Sequence, residues 1–254
     1  HALSTSVELA IEKGKHPAFE ETRAARGELQ FDAWGVVPED RARWDALRER
    51  VRTHGLRNSL LVAIAPTATI ASIAGCYECI EPQVSNLFKR ETLSGEFLQI
   101  NRYLVRDLQR LGLWDEEMQA KIKRAEGSVQ HVEGIPDDLK AIYRTAWEIP
   151  MRSLIDMAAD RGAFIDQSQS LNLFMESPTI GKLSSMYLYA WKAGLKTTYY
   201  LRSRPATRIN QVTTGGSVGV GTGAATATPA KKSYTDAEAV ACSLENPEAC
   251  EACD

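Results

Sequence analysis

Three short runs in this 254-residue sequence carry residue types that can do chemistry. The first is Pro66-Thr67-Ala68-Thr69-Ile70, directly after an apolar run at 59–65 (SLLVAIA). A helix beginning after Pro66 has unpaired N–H groups in its first turn. With the Thr67 and Thr69 hydroxyls, these can hold phosphate oxygens. An ordinary Ser/Thr-type helix cap explains the same residues. The second is the adjacent pair Tyr199-Tyr200. Neighbours on a regular strand point to opposite faces, which makes one ring a core residue and the other a surface residue. An electron and a proton can hop between the two phenols only if the rings stack, and stacking needs a local departure from strand geometry. The third is Cys250-Glu251-Ala252-Cys253. In a reducing compartment a C-x-x-C run is a redox dithiol or half of a zinc site, and unremarkable tail cysteines are the plain alternative. Cys76 and Cys79 share the spacing, but a zinc site joining the two pairs would span about 170 residues, far beyond usual structural spacings.

These runs need elements to hold them. Helices are expected over 4–13, ending before Gly14, and over 38–54, opening with Pro38 and two acids and ending before Gly55. Trp44, Leu47 and Val51 share one face of the second helix. The run at 59–65 has the length of a strand buried on both faces. A hairpin or extended stretch is expected through 86–90. Ser94 can cap a helix in which Phe97, Ile100, Leu104, Leu108 and Leu111 keep helical spacing. Further helices are expected near 115–125, 137–147, 150–161 and 179–193, a polar extended stretch at 165–168, and a strand at 196–202 (KTTYYLR).

Composition narrows the class. Hydrophobic residues make up 44% and charged residues 25%, ordinary values for a water-soluble globular chain. A net charge of −3 excludes a strongly basic nucleic-acid footprint, and no apolar run is long enough to span a membrane. Five cysteines are too few for a disulfide scaffold, and the absence of a secretory signal favours a reducing cytosol. The four histidines show no ligand spacing and read as surface or structural. Between Thr213 and Ala230, 14 of 18 residues are Gly, Ala or Thr, and 235–254 holds six acids and no bases. Such a segment buries too little apolar surface to offset its ordering entropy, so a flexible tail is expected. A coil of this kind reaches about 35–40 Å, enough to carry a dithiol into a pocket and back. Gly219 to Gly223 superficially matches a dinucleotide loop, but no strand precedes it, and it reads as linker.

The segment APTATIASIAGCYECIEPQVSNLFKRETLSGEFLQINRYLVRDL, the later KTTYYLR and the terminal CEAC resemble the C-terminal part of the class I ribonucleotide reductase large (alpha) subunit. The resemblance implies an α/β fold, the helix-rich C-terminal portion of a ten-stranded α/β barrel, over residues 1–203. A flexible linker and cysteine-bearing tail would follow over 204–254. It implies that Pro66, Thr67, Ala68, Thr69 and Ile70 bind the substrate diphosphate, and that Tyr199 and Tyr200 pass a radical. It also implies that Cys250 and Cys253 form a shuttle dithiol re-reduced by thioredoxin or glutaredoxin. The implied reaction converts ribonucleoside diphosphates to 2′-deoxyribonucleotides. The implied partners are the remaining N-terminal part of the alpha subunit, a radical-generating small (beta) subunit and a second copy of the full subunit, with no membrane and no nucleic acid, in the cytoplasm. No cofactor is expected on this segment. ATP and dATP effectors belong to the missing N-terminal part, and a metal-radical cofactor to the small subunit.

One departure is large. The family's radical-bearing cysteine sits in an Asn-Leu-Cys-x-Glu type motif that this sequence lacks, and Cys76 and Cys79 lie in the wrong context for the oxidised pair. The chain also begins at His1. It reads as a fragment that does not reduce a ribonucleotide alone. Two alternatives stand beside this reading: a non-catalytic zinc-binding module, and a segment of a cobalamin-dependent ribonucleotide reductase, which shares the phosphate loop but needs no tyrosine relay.

Overall fold

A computed structural model describes residues 1–92 and 95–204, with the backbone alone at 88–92 and 95–98. Residues 205–254 of the linker and tail, with Cys242, Cys250 and Cys253, lie outside the described residues, as does Ser94.

The N-terminal unit follows from helix ends that the sequence marks. Helix α1 (Ala2–Lys13) buries Ser6, Val7 and Ala10. After two 3-10 turns and the short α2 (Gln30–Ala33), helix α3 (Arg41–His54) starts later than Pro38. The Asp40 side chain accepts from the Arg43 N–H (3.2 Å), so the cap and not the proline sets the start. Gly55 ends α3 at φ 78°, and a Cβ there would lie 2.7 Å from Lys15 Cβ, so the chain can pass this close only as glycine. Val7, Phe19, Val51 and Leu56 form the small core between α1 and α3.

The run at 59–65 is not a doubly buried strand. It is extended, with one parallel bridge, Ile64 to Gln169, and Leu60 and Val62 are exposed. One edge is satisfied. The Asp166 carboxylate accepts from the Leu61 and Val62 N–H groups (2.8 Å each), Ile64 N–H donates to Ser168 O, and Ser170 N–H donates to Ile64 O. Among the described residues no segment pairs with its other edge.

Helix α4 (Ala68–Ala74) follows, then an antiparallel hairpin of β1 (Leu87–Thr92) and β2 (Gly95–Ile100). The expected helix from Ser94 is therefore half strand. Residues 95–100 pair with 87–92, and helix α5 (Arg102–Arg110) begins only at Asn101, whose side chain accepts from the Tyr103 N–H. Leu104 and Leu108 fall on the buried face of α5, as expected. Helices α6 (Glu116–Arg124) and α7 (Asp137–Ile142) pack on it through Met118, Ile122 and Leu139. The helix expected over 137–147 breaks at Tyr143.

The last unit is a strand–helix–strand crossover of the kind parallel strands require. Helix α8 (Met151–Gly162) leads to β3 (Leu173–Phe174), helix α9 (Ile180–Lys192) and β4 (Leu201–Arg202). Strands β3 and β4 are parallel. Only Leu201 and Arg202 of the strand expected at 196–202 are regular strand. Ser168 and Ser170 bond to Ile64, whereas Leu171, Leu173 and Met175 bond to Tyr199, Tyr200 and Arg202. Residues 167–170 bond to the run at 59–65 and 171–175 to the stretch at 199–202, so 167–175 is the middle of three parallel segments. Ile155, Leu173 and Met186 are fully buried between this layer and α8 and α9. This is the barrel-type α/β layer that the resemblance implies. No helix among the described residues is long and apolar enough to cross a membrane.

Tyr143 gives a pH test of the α5–α7 unit. Its hydroxyl donates to Asp107 Oδ2 at 2.5 Å, and burial followed by that contact pushes its pKa up to about 12. A raised phenol contributes stability that is fully present below its unfolded pKa of about 10 and is lost as pH rises through 12. Tyr143→Phe is expected to destabilise by about 1.5–3 kcal/mol at pH 8, the range for a hydrogen bond to a charged group. That difference should shrink between pH 10 and 12 in urea unfolding. A difference independent of pH would contradict the assignment.

Candidate functional site

The turn at 66–70 is built on strain. Thr67 sits at φ 54° in the left-handed region, which a β-branched residue adopts only when its surroundings enforce it. Two contacts do so. The Thr67 carbonyl accepts from the Ala71 N–H (2.8 Å), and its Oγ1 accepts from the Cys79 N–H (3.1 Å). Ala68, Thr69 and Ile70 form the exposed first turn of α4, and their N–H groups have no partner within the helix. Pro66 is half-buried and ends the extended segment. The turn thus presents backbone donors and threonine hydroxyls at an open surface.

The tyrosines do not alternate. Both rings are exposed, with centroids 4.1 Å apart and planes at 53°. Regular strand starts only at Leu201, so the backbone at 199–200 is free to place both rings on one side. It is nevertheless fixed, because Tyr199 N–H donates to Leu171 O and Leu173 N–H donates to Tyr200 O. Interaction with the neighbouring Tyr200 hydroxyl holds the Tyr199 pKa above the ordinary phenol value, while Arg202 opposes the shift. The Arg202 guanidinium lies 5.7 Å over the Tyr200 ring.

The loop between α4 and β1 joins the two features. Desolvation of the Tyr77 hydroxyl, then the neighbouring Cys79, pushes its pKa up to about 12, with Arg202 opposing the shift. Cys76 and Cys79 are free thiols. Burial, and then interaction with the Glu81 carboxylate, push Cys79 up to about 12, so it stays protonated at neutral pH and is a poor nucleophile. Glu81 is buried and accepts from the Asn172 N–H (2.7 Å) and side-chain amide (3.4 Å). Asn172 lies between the two residues that hold the tyrosine backbone. The loop that follows the turn and the tyrosine pair, about 130 residues further on, are therefore fastened to the same stretch, 171–173, leading into β3.

The residue reading of the sequence missed Glu81, Asn172 and Arg202. A lone acid between Ile80 and Pro82 was the one available signal, and it has no periodicity to place it. An apolar cavity of about 290 Å³ lies elsewhere, lined by Phe31, Trp44, Leu60, Val62 and Phe164, and contains none of the candidate residues. Among the described residues no group of three or more His, Cys, Asp or Glu is placed to hold a metal ion. Both dithiol and zinc readings of the terminal cysteines concern residues outside the described ones.

Comparison with known proteins supplies a second line. The family model described as ribonucleotide reductase, barrel domain, matches residues 1–201. The ribonucleoside-diphosphate reductase large subunit of Dictyostelium discoideum is 53% identical over 214 residues, covering 84% of this chain and 25% of that protein. The large subunit of Arabidopsis thaliana is 45% identical over 264 residues, covering 100% of this chain and 32% of that protein. Among solved structures, the Actinobacillus ureae class Id ribonucleotide reductase alpha subunit aligns with a TM-score of 0.58 at 30% identity, over 79% of this chain and 31% of that one. The chain spans about a quarter to a third of the length of these curated relatives.

Proposed function

The chain belongs to the ribonucleotide reductase barrel-domain family, and from that premise we propose that it works as the C-terminal segment of a ribonucleoside-diphosphate reductase large subunit. In this reading the turn at 66–70 cradles the diphosphate of a ribonucleotide. Tyr199 and Tyr200 carry a radical inward from a small subunit, and Cys250 and Cys253 return reducing equivalents from thioredoxin or glutaredoxin. The observation that carries the reading is the 4.1 Å approach of two adjacent phenols held on one side of the backbone. A tyrosine gives up an electron readily only if its hydroxyl proton leaves with it. A neighbouring phenol can donate both and is oxidised in turn. Each transfer is one electron and one proton, so no charge is left on either ring.

The same reading makes the remainder of a large subunit a required partner, because the radical-bearing cysteine motif is not among these 254 residues. It places the reaction in the cytoplasm and makes the assembled subunit a homodimer.

The turn is tested through binding. In a large subunit completed around this chain, Thr67→Ala and Thr69→Ala are each expected to raise the KM for a ribonucleoside diphosphate about 10–100-fold. That is the weight of one hydrogen bond to a charged group, and kcat should change little. A loss confined to kcat would remove the turn from substrate binding.

A further inference from the structure

We infer that Lys196, with Thr197 beside it, is a positioning residue for the tyrosine pair: its ammonium grips the carbonyls of 165–167 and fixes a one-residue offset that turns both phenols to one side. This rests on the reading of Tyr199 and Tyr200 as the radical path and adds to it a residue outside the pair.

The offset is written in the backbone bonds. Leu173 N–H donates to Tyr200 O, and Met175 N–H donates to Arg202 O. In an even parallel ladder, one residue bonds through both its N–H and its C=O to the two residues flanking its partner. Tyr200 would then give its N–H to Leu171 O. That carbonyl instead accepts from the Tyr199 N–H at 2.8 Å. Two adjacent residues share what one does in an even ladder, so the tyrosine segment carries one residue more than the facing 171–173. This is a β-bulge, which re-aims side chains. Removing the extra residue from the ladder restores alternation and sends the two rings to opposite faces.

Such an offset stays in place only if the chain is held on both sides of it. Downstream, β4 is paired with β3. Upstream there is no regular strand, and side chains do the holding. Lys196 Nζ donates to Asp166 O (3.1 Å) and to Ile165 O and Gln167 O (3.4 Å each). Its remaining acceptor is the Gln30 side-chain oxygen (2.9 Å), which also takes the Trp34 Nε1–H (2.8 Å). The Thr197 hydroxyl donates to Gln169 O (3.0 Å). An ammonium brings three donors to carbonyls that backbone N–H groups would reach one at a time.

The gripped stretch is itself fixed. Ile165 is buried, the Asp166 carboxylate holds the Leu61 and Val62 N–H groups, and Gln167 N–H donates to Val62 O. Trp34 is seated so closely over Gly162 that a Cβ there would lie 2.3 Å from its ring. A staple far from the pair would tolerate either register. Lys196 and Thr197 lie only two and three residues before Tyr199, too near to absorb a slip. A slip of one residue moves the backbone about 3.3 Å, which breaks the Thr197 bond and draws the ammonium off its carbonyls.

The test reads amide exchange and ring-to-ring nuclear Overhauser effects by NMR on the full chain. In the parent, the Tyr199 amide is expected to be protected, the Tyr200 amide not, and the two rings to show a direct Overhauser effect. Lys196→Met keeps the stem and removes the ammonium. Lys196 is exposed, which puts the effect at the lower end for a charged hydrogen bond. The Tyr199 amide should exchange about 10-fold faster and the Tyr200 amide slower by a similar factor, with the ring-to-ring effect lost and the Leu173 and Met175 amides still protected. Thr197→Val, which removes one neutral hydroxyl, should move the same two amides about fivefold in the same directions. Two variants that match the parent overturn the inference. So does faster exchange at Tyr199 with no gain at Tyr200, which is fraying and not a change of register. If Lys196→Met does not fold, Thr197→Val decides by the same two amides. None of these readouts involves a radical, so a failure of the relay reading under Tyr200→Phe turnover is distinguishable from a failure of the offset.

Discussion

Tyr200→Phe is expected to abolish turnover in a completed large subunit supplied with its small subunit, by at least about 10³-fold, equivalent to about 4 kcal/mol of lost transition-state access. The ring remains and the fold should not change, because the backbone bonds at 199–200 do not involve the hydroxyl. What is lost is the only group on that ring able to release a proton as an electron departs. A second readout separates this from a structural defect. Interaction with the Tyr200 hydroxyl is the first cause of the raised pKa of Tyr199, so its loss should bring the Tyr199 titration back down toward the ordinary phenol value. Difference absorbance between parent and variant across pH 9–12 reports that shift in the chain alone. Turnover retained within about 10-fold would remove the tyrosine relay and favour the cobalamin-dependent alternative, which needs none.

Helix ends were the most legible part of the sequence because they depend on local chemistry. Gly14 after α1 and Gly55 after α3 end their helices through their own backbone, whereas the start of α3 was missed by two residues because the Asp40 side chain, and not Pro38, caps it. Expectations failed where a distant partner decides. Phe97, Ile100, Leu104 and Leu108 are spaced to suit a helix, yet pairing with 87–92 draws 95–100 into a strand. The apolar run at 59–65 matches a buried strand in length, but burial depends on neighbours the run cannot specify. The tyrosine pair was legible only through family resemblance. Alternation places the two rings on opposite faces, and nothing in KTTYYLR announces that regular strand begins two residues later. Glu81 was illegible for the same reason as 95–100, since its partner Asn172 is 91 residues away.

Asn86→Ala is the largest stability loss expected among the described residues. Asn86 is 2% exposed and lies where three segments meet. Its Nδ2 donates to Gly127 O (3.1 Å) and Tyr143 O (2.8 Å), and its Oδ1 accepts from Asn101 Nδ2 (3.0 Å). Its backbone N–H donates to Gly127 O and its carbonyl accepts from Asn101 N–H. Gly127 can approach this closely only without a side chain, since a Cβ there would fall 1.9 Å from Ser85 Oγ at φ 84°. Alanine leaves the Asn101 amide without its acceptor and removes a donor from both carbonyls. At about 1–3 kcal/mol for each buried group left unsatisfied, the loss comes to roughly 3–5 kcal/mol. Asn86→Asp should be no better, because a carboxylate would face two carbonyl oxygens. Asn101 also caps α5, so the damage should spread into the α5–α7 unit. Urea unfolding measures the loss. A change under about 1 kcal/mol would mean that the backbone bonds alone hold the junction, and that the loop carrying Glu81 is anchored from β3 and not from here.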